Sequence, residues 1–519
     1  MRNFYRKLLV ISAASVVLGI TSTHGQVKSR GVAVANGGLF MGSTKAQQST
    51  FGIIKDGVYK SIDSIGTTSV QSMVTEGPFA YVAYQDTIVK YNLVLEKREN
   101  QINVPQSGFY STTLALSDDY LVIGKDNGIN GKLEFRNKHT LETAFEIPKA
   151  EFSDNIDGIM CEGNYCYISH NTPRKSMSWV DSSGAVSIVD LELKKIIYKY
   201  PLGTDGAGVG RILRYKNNLY ALCSGTKKLL KLSVTGPVLS EITATSIVGI
   251  SGKYLYTANS VNYKVNGIDR YDLETGEFIP ADDRLKKPFQ GNSSLAAACV
   301  DTITSILYLS TTRYSNNDTL FTFDAGENVK LTMVGKVPEE ISVLYNELPV
   351  AADDEFLVQQ GETTKLNVLI NDSDNDDHIK SIGIMRHPLH GSAKIVDNKI
   401  EYSSDKLYTG EDVILYYITD VWGDTAFAEV SLSVEAVTGN VVASDFNVTV
   451  YPNPVQDVLY VKNITNEVSV TISDLTGKIL TAYTSGGDIS FDLNGFDQGC
   501  YLLTIQNGEK KSVQKIIKK

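Results

Sequence analysis

From residue 27 to about 345, short runs of apolar positions return at even intervals, divided by polar turn-forming residues. They read "LFMG" (39–42), "YVAY" (81–84), "LVIG" (121–124), "CYIS" (166–169), "LYAL" (219–222), "LYTA" (255–258) and "LYLS" (307–310). The spacing of roughly 45 residues suits one four-stranded unit per copy, and seven such units closing around an axis leave no long exposed edge. The fullest copy is "YLYTANSVNYKVNGIDRYDLETGEFIP" (254–280). It predicts a strand, a polar loop, an alternating strand ending at Asp272, a Thr-Gly turn and a further strand. "TIVKYNLVLEK" and "VSIVDLELKKIIYKY" repeat its second half. No helical 3.6-residue period of useful length competes with this two-residue alternation. The expected class is all-β: a seven-bladed β-propeller over 26–345, followed by two smaller β modules.

The pattern changes at "NELPVAADDEF" (346–356). From 346 to 437, alternating strands are separated by Gly and Asp turns, as in an immunoglobulin-like β-sandwich. A polar linker (438–444) leads to a small C-terminal β-sandwich over 445–519, opened by "YPNPVQDVLYV". The first 25 residues have a different character. Arg2, Arg6 and Lys7 precede the apolar run Leu8–Ile20, and Thr23-His24-Gly25 offers a cut before Gln26. This is a signal-peptide pattern. The apolar run is too short to span a bilayer well, and no later stretch is long enough, so no membrane span is expected.

Three resemblances rest on these residues. "LYTAN" (255–259) and "VSIVDL" (186–191) resemble the signature strands of YVTN-type seven-bladed propellers. "PVAADD", "VLINDSDNDD", "HPLHGSAKI", "YSSDKLYTGEDVILYYITD" and "DTAFAEVSLSV" together resemble bacterial cadherin-like, immunoglobulin-like repeats of surface adhesins and exoproteins. "YPNPVQDVLYV", "VSVTISDLTGKIL", "ISFDLNGFDQGCYLLTI" and the closing "KIIKK" resemble, in that order, the type A C-terminal sorting domain of the type IX secretion system. That resemblance implies that residues 445–519 engage the secretion machinery. It also implies export through the periplasm to the outer surface or the medium, with removal of the module. Cys500 in "GCYLLTI" departs from the family pattern.

Charge and chemistry refine the picture. The net charge of −10 argues against nucleic-acid binding, which calls for a basic face. Five cysteines are too few for a disulfide scaffold. Cys161 and Cys166 flank "EGNY" in a predicted hairpin whose facing positions bring the sulfurs within reach, so a disulfide and a reduced pair both fit. In "NDSDNDD", Asn371, Asp372, Asp374 and Asp376 alternate so that several oxygens can face one hard cation. The loop is no EF-hand, since Asp377 replaces the required Gly and Gly383 the closing Glu. The cadherin-like resemblance implies calcium there, with Asp353 and Asp354 approaching from the start of the domain. His378 stands where many relatives carry Asp, and a solvated acidic loop is the competing reading. "GAGVGR" (206–211) precedes a strand rather than a helix, so it is no dinucleotide fingerprint. His387 and His390 in "RHPLHG" read as a tight turn.

Function is expected from one rim of the propeller. Loops after the recurrent strands and loops joining successive blades share a face. The long loops there carry His170, Arg174 and Trp179 (169–184), Tyr263 (259–266), and Arg313 and Tyr314 (311–318). Inter-blade loops on the same face add Phe109, Tyr110 and Arg211. Aromatic and Arg side chains in loops are the residues binding hot spots favour. The leading expectation is an exported binding protein that takes a small molecule, glycan or protein on this face. Alternatives are capture of a nutrient such as a corrinoid, a lactonase- or quinoprotein-like enzyme, and an adhesin. With only His139 and His170 in the propeller and no acidic set drawn from several blades, an enzyme is the weaker expectation.

Overall fold

The computed structural model describes the chain from residue 26 onward, apart from 38–47, 67–68, 105–111, 126–131, 153–155, 172–182, 234–237, 245, 262–263, 290–293, 313–317, 325–328, 377, 437–445, 447 and 509. The signal-peptide region therefore lies outside the described residues. Among the described residues between Val27 and Glu347 the strands form seven four-stranded antiparallel sheets. Their innermost strands are, in order, Pro338–Glu347, Val70–Glu76, Thr112–Leu116, Ile156–Glu162, Val209–Tyr215, Ser246–Ser251 and Ser294–Val300. Each packs beside the next and the seventh beside the first, so the ring closes as a β-propeller.

The first sheet is assembled from both ends of this region. Its inner strand, Pro338–Glu347, pairs with Val27–Asn36, bringing Val34 opposite Ile341. Closing the ring with hydrogen-bonded strands holds the first and last sheets together without a covalent tie. This arrangement corrects one repeat assignment. In the other six sheets the recurrent apolar run is the second strand, but in the first sheet that place belongs to Val27–Asn36. "LFMG" (39–42) is not that strand and lies outside the described residues.

One turn recurs between third and outer strands. Asp272 accepts hydrogen bonds from the N–H groups of Glu274 and Thr275 at 2.9 and 3.0 Å, and Gly276 sits at φ 77°. Asn92, Asn137 and Asp190 head equivalent turns, with Glu96, Leu141 and Lys194 at positive φ four residues on. An Asp or Asn oxygen standing in for a backbone acceptor fixes the turn firmly enough to hold non-glycine residues in the left-handed region. Between the sheets lie separate apolar clusters. Phe51, fully buried, stacks on Tyr91 at 4.1 Å in one of them.

The chain divides into two compact units. The first runs through Ala351 and also takes in Asn371–Ser381 and Ile418–Phe427. Within it, buried Asn346 donates to Asp420 at 2.8 Å and to Asp424 at 3.0 Å, and Arg30 forms an ion pair with Asp424. Arg30 and Lys55 lie 5.9 and 5.4 Å from the Trp422 ring centre. Two segments expected in the immunoglobulin-like module thus belong to the propeller's compact unit.

The second unit comprises Ala352–Ile370, Ile382–Tyr417 and Ala428–Lys519, which carry most of the strand residues of the two C-terminal modules. The immunoglobulin-like one has a four-stranded sheet, ordered Asp354–Gln359, Thr425–Glu435, Gly410–Thr419 and Ser381–Arg386, and a three-stranded sheet. Asp412, buried, accepts the N–H groups of Leu389 and His390, which makes "HPLHG" the expected turn. His390 stacks on Tyr408 at 3.7 Å. The final module packs a three-stranded sheet against a four-stranded one around a core including Val450, Leu459, Ile472, Phe491, Leu503 and Ile516. Its opening "YPNP" has both prolines cis. Asn453 between them bonds the last strand twice, donating to Lys515 O at 2.8 Å and accepting from Ile517 N at 2.9 Å. The first and last segments of the module are stitched to each other.

Candidate functional site: the propeller channel

Every inner strand is the end member of its sheet, so one backbone edge has no strand partner and faces the axis. Such edges need polar company. They surround a channel of about 740 Å³ lined by all seven inner strands.

Near its start, the inner strand carries a β-bulge in six of the seven sheets; the third, Thr112–Leu116, is regular. The extra residues include Glu339, Gln71, Asp157 and Arg211. A bulge re-aims a side chain out of the pleat, and here several such side chains reach the next sheet. Glu339 accepts from Val70 N at 2.5 Å, and Gln71 accepts from Thr112 N at 2.9 Å. Asp157 accepts from Asn171, whose own oxygen takes the Val209 N–H at 2.9 Å. Arg211 donates to Ile247 O at 3.0 Å. These bonds fasten one inner strand to its neighbour at a single mouth of the channel.

Two charged groups at this wall have capacity left over. Arg211 is exposed to the channel, and its bond to Ile247 O is its one hydrogen bond among the described residues. Glu340, half-buried on the first sheet, has no hydrogen-bond or ion-pair partner among them. Burial pushes its carboxyl up to about 7, while the Arg211 charge pulls the other way and Glu339 adds to the rise. Burial likewise raises Glu339 to about 7, opposed by the Val70 N–H. Cys299 lines the same channel. Burial raises its thiol to about 12, so it is neutral and a poor nucleophile.

The expected rim residues fare differently. Phe109, Tyr110, Arg174, Trp179, Tyr263, Arg313 and Tyr314 lie outside the described residues. His170 is not in a loop. It sits in the strand Tyr165–Asn171, fully buried, 2.8 Å from Ser187 Oγ and edge-on to Phe152. Burial, with a smaller contribution from Lys199, pushes it down to about 4, so it stays neutral and serves as a core residue. The strand runs past the expected loop start because Asn171 is needed to hold Val209. Arg211 also stands in a strand, Val209–Tyr215, and faces the channel. Most of the loop expected at 259–266 is strand, since Tyr254–Val261 and Lys264–Asp272 pair up to Val261 opposite Lys264. Glu339 and Glu340 were missed. The available signal was two adjacent carboxyls opening the apolar strand "PEEISVLY", which reads as a domain boundary when the ring closure is unseen.

Cys161 and Cys166 are paired across the hairpin of the fourth sheet and joined by a disulfide. Of the expected calcium ligands, Asp376 accepts the Glu347 N–H at 2.7 Å in the first unit. Asn371, Asp372 and Asp374 share its segment, while Asp353 and Asp354 belong to the second unit. There Asp353 accepts from Glu429 N and Asp354 from Tyr416 OH. Among the described residues no group of three or more His, Cys, Asp or Glu side chains is arranged to hold a metal ion.

Comparison with known proteins places the two C-terminal modules. Residues 346–433 match the bacterial Ig domain, and residues 449–519 match the secretion system C-terminal sorting domain. No curated protein matches the chain at a significant level. Solved structures similar to it include a putative 6-phosphogluconolactonase from Bacteroides uniformis, 11% identical, TM-score 0.46, covering 61% of this chain and 100% of that one. A functionally unknown protein from Desulfotomaculum acetoxidans is 12% identical, TM-score 0.41, covering 61% and 99%. The Dos1 propeller is 14% identical, TM-score 0.36, covering 56% and 76%. No helix among the described residues is long and apolar enough to cross a membrane. The sorting domain marks the chain as an exported protein of the type IX route, destined for the cell surface or the medium.

Proposed function

We propose that this is a surface or secreted binding protein whose propeller, seven-bladed and of the YVTN type, captures a ligand at the channel mouth where Arg211 and Glu340 stand. On this reading residues 1–25 are a signal peptide, 346–437 a spacer, and 445–519 the address read by the secretion machinery. The supporting observation is the channel itself. Its volume lies within the range of small-molecule sites, and its wall offers a guanidinium and a carboxyl with hydrogen-bonding capacity to spare.

The test is mass spectrometry of small molecules released on denaturing the full chain purified from its native cell. A discrete compound, absent from Arg211→Gln protein of unchanged melting temperature, supports the reading. A channel that releases nothing from native or variant protein, with no compound retained on dialysis against cell extract, overturns it. Calcium is a separate element of the proposal, drawn from the acidic segment 371–376. A ligand that binds only the folded state raises its melting temperature. Calcium is therefore expected to stabilise the full chain over chelator-treated protein, and Asp372→Ala with Asp374→Ala to remove that gain. Identical melting curves with calcium and with chelator would reduce the segment to a solvated acidic loop.

A further inference from the structure

The arrangement of charge across the channel narrows the ligand class. Arg211 comes from the fifth inner strand and Glu340 from the first, with two inner strands between them on the shorter way round the ring. The Arg211 charge acts on Glu340, yet no direct ion pair joins them among the described residues. Arg211 is held toward the sixth sheet by its bond to Ile247 O, and Glu340 is fixed by the pairing of its strand with Ala35. Opposite charges kept apart on a half-buried wall forgo the Coulomb energy that would offset their desolvation. A guest that bridges them recovers it.

We propose that the channel mouth between Arg211 and Glu340 is a subsite for the zwitterionic head of a small ligand of the α-amino acid type. The ligand's carboxylate lies on the guanidinium and its ammonium on the Glu340 carboxylate. The guanidinium suits a carboxylate because its planar fork donates two parallel hydrogen bonds. The Glu340 carboxylate suits an ammonium because it has acceptors to spare and no competing donor. Neutral Cys299, on the seventh inner strand, adds no charge to the site. Glu339, the neighbouring carboxyl, is already committed to the Val70 N–H. The remaining channel, lined by Met73, Met160, Val248 and Ile250 among others, is open to an apolar or varied side group.

The inference rests on the binding reading but is tested apart from it. Individual L-amino acids are titrated calorimetrically into the full chain, each beside its N-acetyl and its carboxamide derivative. The expected result is binding by one or more free amino acids, with about a tenfold or greater loss for either blocked form, since each block removes one charge-assisted contact. Arg211→Gln and Glu340→Gln should each weaken the free ligand to a similar extent. Affinity should also fall as pH drops below about 7, where Glu340 takes up a proton in the field of Arg211 and Glu339, with Cys299 neutral throughout. The blocked-ligand series does not depend on any variant folding. Equal binding of the N-acetyl form would overturn the proposal, leaving Arg211 as a simple anion contact. So would the absence of binding by every amino acid, even if a compound of other chemistry co-purifies and the binding reading stands.

Discussion

The propeller and the sorting module both close on themselves by joining their two ends, but by different means. In the propeller, Val27–Asn36 and Pro338–Glu347, more than three hundred residues apart, pair as neighbouring strands of one sheet. In the module, Asn453 and Val455 near the start bond to Lys515, Ile517 and Lys519 at the end. The module surrounds one continuous core of fifteen buried residues, whereas the propeller's core is split into clusters between sheets. One core makes the module a single cooperative body. A ring of separate clusters lets each sheet vary while the axis is kept. The module is therefore legible in its own residue order, whereas no local stretch of sequence describes the propeller's axis.

The largest expected effect follows from the module's independence. Deleting residues 449–519 removes a body whose core is its own, and export should be lost while the rest of the chain still folds. Fractionation should then find the shortened protein in the periplasm with the melting transition of its first unit intact. Arrival of the truncated chain at the surface would separate the module from the address function.

A smaller effect contrasts the two cores. Phe51→Ala leaves a cavity beside Tyr91, and Phe491→Ala leaves one in the module; each should cost about 3–5 kcal/mol. Calorimetry should show Phe51→Ala lowering only the transition of the first unit and Phe491→Ala only that of the second. Both substitutions moving a single shared transition would contradict the two-unit reading.

The same contrast explains what was legible in the sequence. The two-residue alternation in "VSIVDLELKKIIYKY" and the Asp272 turn were readable because both are local devices with fixed spacing. The module was readable because its Pro-Asn-Pro opening and its Lys-rich close lie within one short stretch. Ring closure was not, since the pairing of Ala35 with Glu340 has no local trace. That same blind spot hid Glu340 and led to a misplaced first repeat at "LFMG". His170 looked like a loop residue because its neighbours Ser169 and Asn171 are polar. They are polar to hold the fifth sheet, through bonds to Gly210 O and to the Val209 backbone. Arg211 was expected in an inter-blade loop, and its setting in a bulged strand facing the axis follows only from the assembled ring.

The smallest expected effect is a pH dependence confined to the propeller. Glu339 and Glu340 have folded-state values raised from 4.5 to about 7, chiefly by burial. Between these limits the folded chain holds protons that the unfolded chain has released. Stability contributed by the neutral carboxyls is therefore full below about pH 4.5, falls as pH rises, and levels off above about 7. Asp272 has the opposite sign. Its carboxylate, lowered to about 2 by Lys253 and by the turn's N–H groups, loses its contribution only as pH falls through the acid range, well outside this window. The first unit's melting temperature should thus decline modestly from pH 5 to pH 7.5, the two carboxyls outweighing buried His170, whose value of about 4 gives the opposite slope below about pH 6.5. Glu339→Gln with Glu340→Gln should flatten the decline, because an amide cannot ionise. The module's transition should hold steady over the same range: the shifts resolved for its carboxyls, Asp474 and Asp488, are both downward and act at lower pH. A decline of equal slope in both transitions, or one that survives the double substitution, would assign it to groups other than this pair at the channel mouth.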